Sequence, residues 1–227
     1  MTDLNLTHLY FLLDRSGSMQ SIVEDTVGGF DAFIAEQRRV TDGAGGECRV
    51  TLAQFDDAYE EVYADRPIAD VPSLVLQPRG TTALLDSIGR LIGDAGQRLA
   101  ALPEDRRPGT VVVGIMTDGL ENASREWSHA RVKQLIEQQT RDYQWQFLYL
   151  GADQDAIEVG ASIGVAPANS VTYGRGKVRQ AMAATAANVS AYRSAKMAGA
   201  PEAEASGLMA FSPAQRAEAA DDTDEKE

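Results

Sequence analysis

Short apolar runs alternate with amphipathic segments over the first two-thirds of the chain. An uninterrupted apolar run is typical of a strand buried on both faces of a parallel sheet, whereas apolar positions that recur every three or four residues predict a helix. Their alternation predicts an α/β fold with helices on both faces of a doubly wound, mostly parallel sheet. The predicted strands are residues 6–13, 48–55, 59–64, 110–116, 146–150 and 170–173, and the predicted helices are 20–38, 83–99, 128–139, 155–163 and 178–196.

The third predicted strand differs from the others in its connection. Only Asp56, Asp57 and Ala58 separate it from the second strand. A connection of this length forms a tight turn and cannot cross over the sheet, so the two strands must be antiparallel. The third strand is therefore expected at an edge of the sheet.

Composition and charge exclude several classes of partner. Hydrophobic residues make up 44% of the 227 residues, which is ordinary for a globular protein. With 34 acidic and 21 basic residues, the formal charge is −13, so binding to nucleic acid or to an anionic membrane is disfavoured. The first residues lack a signal-peptide pattern and Cys48 is the single cysteine, which together predict a cytoplasmic protein.

The composition changes near residue 198. Alanine, acidic residues, proline and serine dominate from there to the end, and the last fifteen residues have no large apolar side chain. Such a segment buries too little surface to offset the entropy of ordering it. We therefore predict one domain over residues 5–197 and an acidic, largely disordered tail over 198–227, in which Leu208, Met209 and Phe211 are a local exception able to dock.

Oxygen-bearing side chains follow the predicted central strands. Asp14, Ser16 and Ser18 come directly after the first strand, and Asp118 comes after the strand 110–116. Thr82 precedes the second long helix. Because ligands of open α/β sheets bind at the carboxyl ends of the strands, these side chains are expected to converge there. Carboxylates and hydroxyls are hard donors that suit Mg²⁺, and two carboxylates would leave the ion electrophilic enough to attract another from outside.

Three segments resemble the motifs of the von Willebrand factor type A domain family and its metal-ion-dependent adhesion site (MIDAS). They are Phe11-Leu12-Leu13-Asp14-x-Ser16-x-Ser18-Met19, Gly80-Thr81-Thr82-Ala83-Leu84-Leu85-Asp86 and Met116-Thr117-Asp118-Gly119. The resemblance covers residues 5–175 and extends through the helix 178–196. It implies a three-layer fold around a six-stranded sheet of order 3-2-1-4-5-6 with strand 3 antiparallel. It also implies a bacterial, cytoplasmic member of the family.

The same resemblance implies a function. Mg²⁺ or Mn²⁺ would be held by Asp14, Ser16, Ser18, Thr82 and Asp118 and completed by a Glu or Asp of a partner protein. Thr81 is the weaker candidate, because Thr82 stands at the family's distance from the following Leu-x-Asp. The chain would then be a protein-interaction module and not an enzyme.

Two alternatives use the same ion differently. The ion could serve a phosphate-ester hydrolase or phosphotransferase, or it could be purely structural. The sequence has no Gly-x-Ser-x-Gly elbow, no phosphate-binding loop of the Gly-x-x-x-x-Gly-Lys type and no dinucleotide fingerprint, which disfavours the enzymes that use these motifs. The partner, the pathway and the oligomeric state are not specified by the sequence.

Overall fold

The computed structural model describes residues 2–44, 46–152 and 155–220. Six strands form one sheet in the order β3-β2-β1-β4-β5-β6, and only β3 is antiparallel to its neighbour. This topology confirms the predicted fold class. In chain order the elements are β1 (Asp3–Asp14), α1 (Val23–Ala44), β2 (Glu47–Phe55), β3 (Tyr59–Pro67), α2 (Leu84–Ala101), β4 (Pro108–Thr117), α3 (His129–Tyr143), β5 (Gln146–Ala152), α4 (Ala156–Ser162), β6 (Ser170–Tyr173), α5 (Val178–Met197), α6 (Glu202–Ala205) and α7 (Pro213–Ala219).

Strand β1 lies at the centre and separates two hydrophobic cores. Leu9, Phe11 and Leu13 face the core beneath α1 and α5, whereas Tyr10 and Leu12 face the core beneath α2, α3 and α4. Successive side chains of a strand point to opposite faces, and both faces are covered here. This explains why residues 9–13 of the strand are apolar without interruption.

Strand β3 forms the predicted antiparallel edge. Tyr59 lies opposite Phe55, and Pro67 lies opposite Arg49. The turn is closed by Asp56, whose backbone N–H donates to the Ala58 carbonyl at 3.1 Å and whose carboxylate accepts from the Ala58 N–H at 2.7 Å. The aspartate side chain is thus part of the turn, as its chemistry favours.

Helix α1 is longer than its sequence pattern indicates. The predicted helix ends at residue 38, but the helix continues to Ala44. The Thr41 hydroxyl donates to the Gln37 carbonyl at 2.9 Å and accepts from Arg193 at 2.8 Å. Contacts with α5 therefore override the weak local preference of this segment. At its other end, α1 is preceded by a 3₁₀ turn over Gly17–Ile22.

The prediction of a disordered tail from residue 198 is wrong for the described residues up to Ala220. Helices α6 and α7 pack on the domain, with Met209, Phe211 and Ala219 buried against α5 and β6. Glu202 anchors this segment by accepting hydrogen bonds from Gln146, Tyr192 and Lys196. A few apolar side chains and the ion pair of buried Lys196 with half-buried Glu202 compensate for the low apolar content. The rest of the predicted tail, 221–227, lies outside the described residues.

No helix within the described part of the chain is both long and apolar enough to cross a membrane.

Candidate metal centre

The first and third motifs meet at the carboxyl edge of the sheet. Strands β1 and β4 are parallel neighbours, and Leu13 pairs with Met116. The residues that follow, Asp14 and Thr117, therefore lie side by side, and the Thr117 hydroxyl donates to Asp14 Oδ2 at 2.6 Å. Asp118 comes next, at the point where β4 ends.

The serine hydroxyls bridge these two loops. Ser16 Oγ lies 3.0 Å from Ser18 Oγ, and Ser18 Oγ donates to Asp118 Oδ1 at 2.6 Å. The last contact joins residues that are 100 positions apart in sequence. Ser16 and Asp118 are buried, whereas Ser18 is exposed, so the cluster has one side open to solvent.

Thr82 lies beside Gly119, and the space between them is narrow. A methyl group built on Gly119 would lie 3.1 Å from Thr82 Oγ1 and 3.7 Å from Ser18 Oγ. The absence of a side chain at Gly119 thus leaves space next to both hydroxyls. Thr82 is buried, while Thr81 is exposed and lines a neighbouring groove.

Asp14 is a fully buried carboxylate. Its oxygens accept hydrogen bonds from the Ser16 backbone N–H at 2.6 Å and from the Thr117 hydroxyl. Burial, together with a smaller contribution from the nearby Asp118 carboxylate, raises the pKa of Asp14 to about 6 in spite of these hydrogen bonds. Two carboxylates at one buried position favour either a proton or a cation between them. The electrostatics therefore fit a divalent ion.

The donor set specifies what kind of ion would fit. Among the described residues, no three His, Cys, Asp or Glu side chains cluster as metal ligands. The centre depends instead on three hydroxyls and two carboxylates, a set of hard oxygens suited to Mg²⁺ or Mn²⁺. Because both Asp14 oxygens already accept short hydrogen bonds, Asp14 is best suited to hold an ion through water.

Sequence reasoning missed the residues that hold the loop after β4 against the second motif. Asn122 Oδ1 accepts from the Thr82 N–H at 3.0 Å, and the Asn122 N–H donates to the Thr82 carbonyl at 3.1 Å. Glu121 accepts from the Leu85 N–H at 2.8 Å at the start of α2. These contacts join residues about 40 positions apart in sequence, and no local pattern marks them.

Asp86 and Gly89 fix the far end of the same loop. Asp86 accepts the consecutive backbone N–H groups of Arg125, Glu126 and Trp127 at 2.7–2.9 Å. The Trp127 ring lies so close to α2 that a methyl group on Gly89 would be 2.2 Å from it. Asp86 is therefore a positioning residue of the second motif and not a ligand.

A third network holds the first motif. Asp56 Oδ2 accepts from Arg15 Nε at 3.0 Å and from Arg79 Nε at 2.8 Å, and the Arg79 N–H donates to the Arg15 carbonyl. Burial alone would raise the pKa of Asp56, but the hydrogen bonds from Arg79 and Ala58 and the charge and hydrogen bond of Arg15 hold it below its usual value. Asp56 is therefore ionised and ties the first two motifs together.

Comparison with known proteins supports the fold. No protein-family model and no curated protein matches the sequence. Among solved structures, proximal thread matrix protein 1 from the mussel byssus is similar, with 15% identity over 81% of this chain and 46% of that chain and a TM-score of 0.54. The von Willebrand factor domain of the type V pili tip protein Mfa5 from Porphyromonas gingivalis is 10% identical over 81% of this chain and 94% of that chain, with a TM-score of 0.55.

A further structure bears on the metal. The mussel protein has also been solved with zinc in its MIDAS motif, at 17% identity over 80% of this chain and 45% of that chain, with a TM-score of 0.51. This chain spans less than half the length of the mussel protein. These likenesses show that the chain has the fold of a von Willebrand factor type A domain.

Proposed function

We propose that the chain is a metal-dependent protein-interaction module. Asp14, Ser16, Ser18, Thr82 and Asp118 hold Mg²⁺, or Mn²⁺ in its place, and the ion takes a Glu or Asp side chain of a partner protein as a further ligand. The observation that carries this proposal is the convergence of hydroxyl and carboxylate oxygens from three separate loops, with Ser18 at the solvent side.

The charge balance supports capture of an outside acid. Two carboxylates roughly neutralise a dication, and several hydroxyl ligands leave it electrophilic toward a third carboxylate. The ion would orient the partner's acid, while the surrounding loops exclude water and supply the remaining contacts. That some structural neighbours are pilus proteins and adhesins is consistent with an interaction role.

The first experiment measures metal binding and partner capture together. Mg²⁺ should raise the thermal stability of the protein, and Asp118→Ala should abolish that shift while the exposed Asp105→Asn leaves it intact. Co-purification from the native host should yield a partner in Mg²⁺ that is lost in a chelator and with Asp118→Ala. Metal binding with a partner that persists in chelator would indicate a purely structural ion.

The runner-up is a phosphate-ester hydrolase that uses the same ion. It differs in one readout, because it predicts turnover of generic phosphate esters that disappears with Asp118→Ala. We expect no turnover. Metal-dependent turnover at a steady rate would contradict the interaction module.

A cytoplasmic location also stays a proposal. Its support is the single cysteine, Cys48, which is buried and has no disulfide partner in the chain. Fractionation of the native host with an antibody against the chain tests this proposal, and recovery outside the cytoplasm would overturn it.

A further inference from the structure

A groove opens directly beside Thr82. Its walls are the turn after β2, the first turns of α2 and the loop after β4, and its volume is about 1020 Å³. Asn122 lines this groove and is also the residue that forms two hydrogen bonds with Thr82. A peptide whose acidic residue reaches the metal would therefore continue into the groove.

The groove is larger than one acidic side chain requires, and its walls are held in place. Small-ligand pockets usually measure about 300–1,000 Å³, so this volume accommodates several residues. The wall formed by residues 122–127 is fixed by the three hydrogen bonds to Asp86 and by the packing of Trp127 on Gly89. A preformed groove binds with a smaller ordering cost than a mobile loop.

The groove offers polar groups close to the metal. In the described part of the chain, neither the Thr81 hydroxyl nor the Asn122 side-chain nitrogen makes a hydrogen bond, although both residues line the groove. They are suited to the backbone of an extended peptide, which has a carbonyl and an N–H at each residue. Selectivity must then come from the charged side chains farther out.

The charged side chains that line the groove favour a positively charged side chain of the peptide. Three carboxylates line the groove, on Asp57, Asp86 and Glu126, against the guanidinium groups of Arg90 and Arg125. Asp86 is already engaged by three backbone N–H groups, and Arg90 lies 4.9 Å from the Tyr59 ring centroid and 3.8 Å from Asp94. This leaves the carboxylates of Asp57 and Glu126 against the guanidinium group of Arg125. Within the described residues Asp57 and Glu126 have no ion pair. The whole chain carries −13, which adds long-range attraction for a basic partner and repulsion for an acidic one.

We propose that this groove binds the residues next to the captured acid and selects a Lys or Arg among them. The proposal rests on the proposed function, since the acid on the metal positions the peptide. The partner is thus a basic segment that carries one exposed Glu or Asp. Because the groove lies on one side of the metal centre, the basic residue should lie on one side of the acid in sequence.

Peptide display tests this proposal without knowledge of the natural partner. Random seven-residue peptides with a central Glu or Asp are selected on the full chain in Mg²⁺ and eluted with a chelator. We expect Lys and Arg to be enriched on one side of the acid. The double variant Asp57→Asn, Glu126→Gln should weaken a selected peptide about tenfold, with its Mg²⁺-dependent thermal shift unchanged.

A matched control lies in α1, outside the groove. Glu24 is exposed, outside the groove and in the helix that follows the first motif, so Glu24→Gln should leave peptide affinity within twofold. Two results would contradict binding in the groove and leave the metal function intact. One is that peptides bind in a metal-dependent way without Lys or Arg enriched on one side of the acid. The other is that Glu24→Gln lowers peptide affinity as much as the double variant does. If no peptide binds in a metal-dependent way, the proposed function fails and this inference fails with it.

Discussion

Two buried charges in this molecule are held in opposite ways. Arg193 in α5 is fully buried, and its guanidinium donates to Thr7, Thr41 and both the carbonyl and the side-chain oxygen of Gln37. No carboxylate in the described part of the chain pairs with it. Neutral oxygens near the carboxyl end of α1 stabilise this cation, helped by the helix dipole.

Asp14 is buried to the same degree, but its charge is compensated less completely by the surrounding protein. It accepts from a hydroxyl and an N–H, yet a second carboxylate lies nearby and one side of the cluster is open. Arg193 is satisfied by the fold itself, whereas Asp14 and Asp118 together are best satisfied by an added cation. A buried charge therefore indicates a functional site where its compensation is incomplete, and a structural role where it is complete.

The largest effect is expected at Arg193. Arg193→Met removes four hydrogen bonds and leaves the buried side-chain oxygen of Gln37 without its donor, so the free energy of unfolding should fall by about 3 kcal/mol. Urea unfolding with and without Mg²⁺ measures this, and the Mg²⁺ stabilisation itself should persist. The exposed Arg39→Met is the control. A loss below about 1 kcal/mol would show that Arg193 does not hold α5 to α1.

Asp14→Asn should give the opposite pattern. The amide is nearly isosteric and removes a buried negative charge, so stability without metal should stay equal or rise slightly. The stabilisation by Mg²⁺, about 2.7 kcal/mol at one hundred times the dissociation constant, should be lost. Thermal unfolding in Mg²⁺ and in chelator gives both numbers. If the variant is destabilised equally in Mg²⁺ and in chelator, the charge of Asp14 is structural, as that of Arg193 is.

His8 extends the comparison to the opposite end of β1. Burial, and then the charges of Arg49 and Arg98, lower the pKa of His8 from 6.5 to about 3. Between these values the unfolded chain binds a proton that the folded chain does not, so stability must fall as the pH falls from about 6.5 toward 3. At pH 5 the loss is about 2 kcal/mol.

Urea unfolding of wild type and His8→Gln between pH 7 and pH 4 measures this dependence. The variant should show a shallower decline over the range, because glutamine does not titrate. Parallel curves would show that His8 is not held neutral in the fold.

The smallest effect is expected at Gly119. A methyl group there would crowd Thr82 Oγ1 at 3.1 Å, so Gly119→Ala should weaken Mg²⁺ binding about tenfold, or 1.4 kcal/mol, with little change in stability without metal. Gly93→Ala is the matched control, because nothing lies within 4 Å of its added methyl group. Calorimetric titration with Mg²⁺ compares the two. Equal affinities would place the ion elsewhere.

The regular elements were largely predictable from the sequence, and their exceptions have tertiary causes. Buried strands such as β1 and β4 were predictable because both of their faces are covered, so that consecutive residues in them are apolar. The end of α1 depends on Arg193, which lies about 150 residues away. The docking of α6 and α7 depends on Glu202 and a few apolar side chains. So few residues hardly change the average composition of the segment, and composition therefore did not predict the docking.

The candidate site divides in the same way. Its ligand candidates could be predicted because each follows the end of a strand or precedes a helix, and the ends of parallel strands meet at one edge. Asn122, Asp86 and Gly89 could not be predicted as supports, because their partners are backbone groups or a ring in another segment. Their residue types are common in loops and helices, so nothing local distinguishes them.

The sequence alone determined the α/β architecture, the antiparallel edge and the five oxygen-bearing residues at the sheet's carboxyl edge, since periodicity and turn length are local properties. Tertiary structure decided how near those oxygens come to one another and how the walls beside them are held. These features depend on hydrogen bonds and packing between segments that are far apart in the chain, and no local pattern encodes such distances.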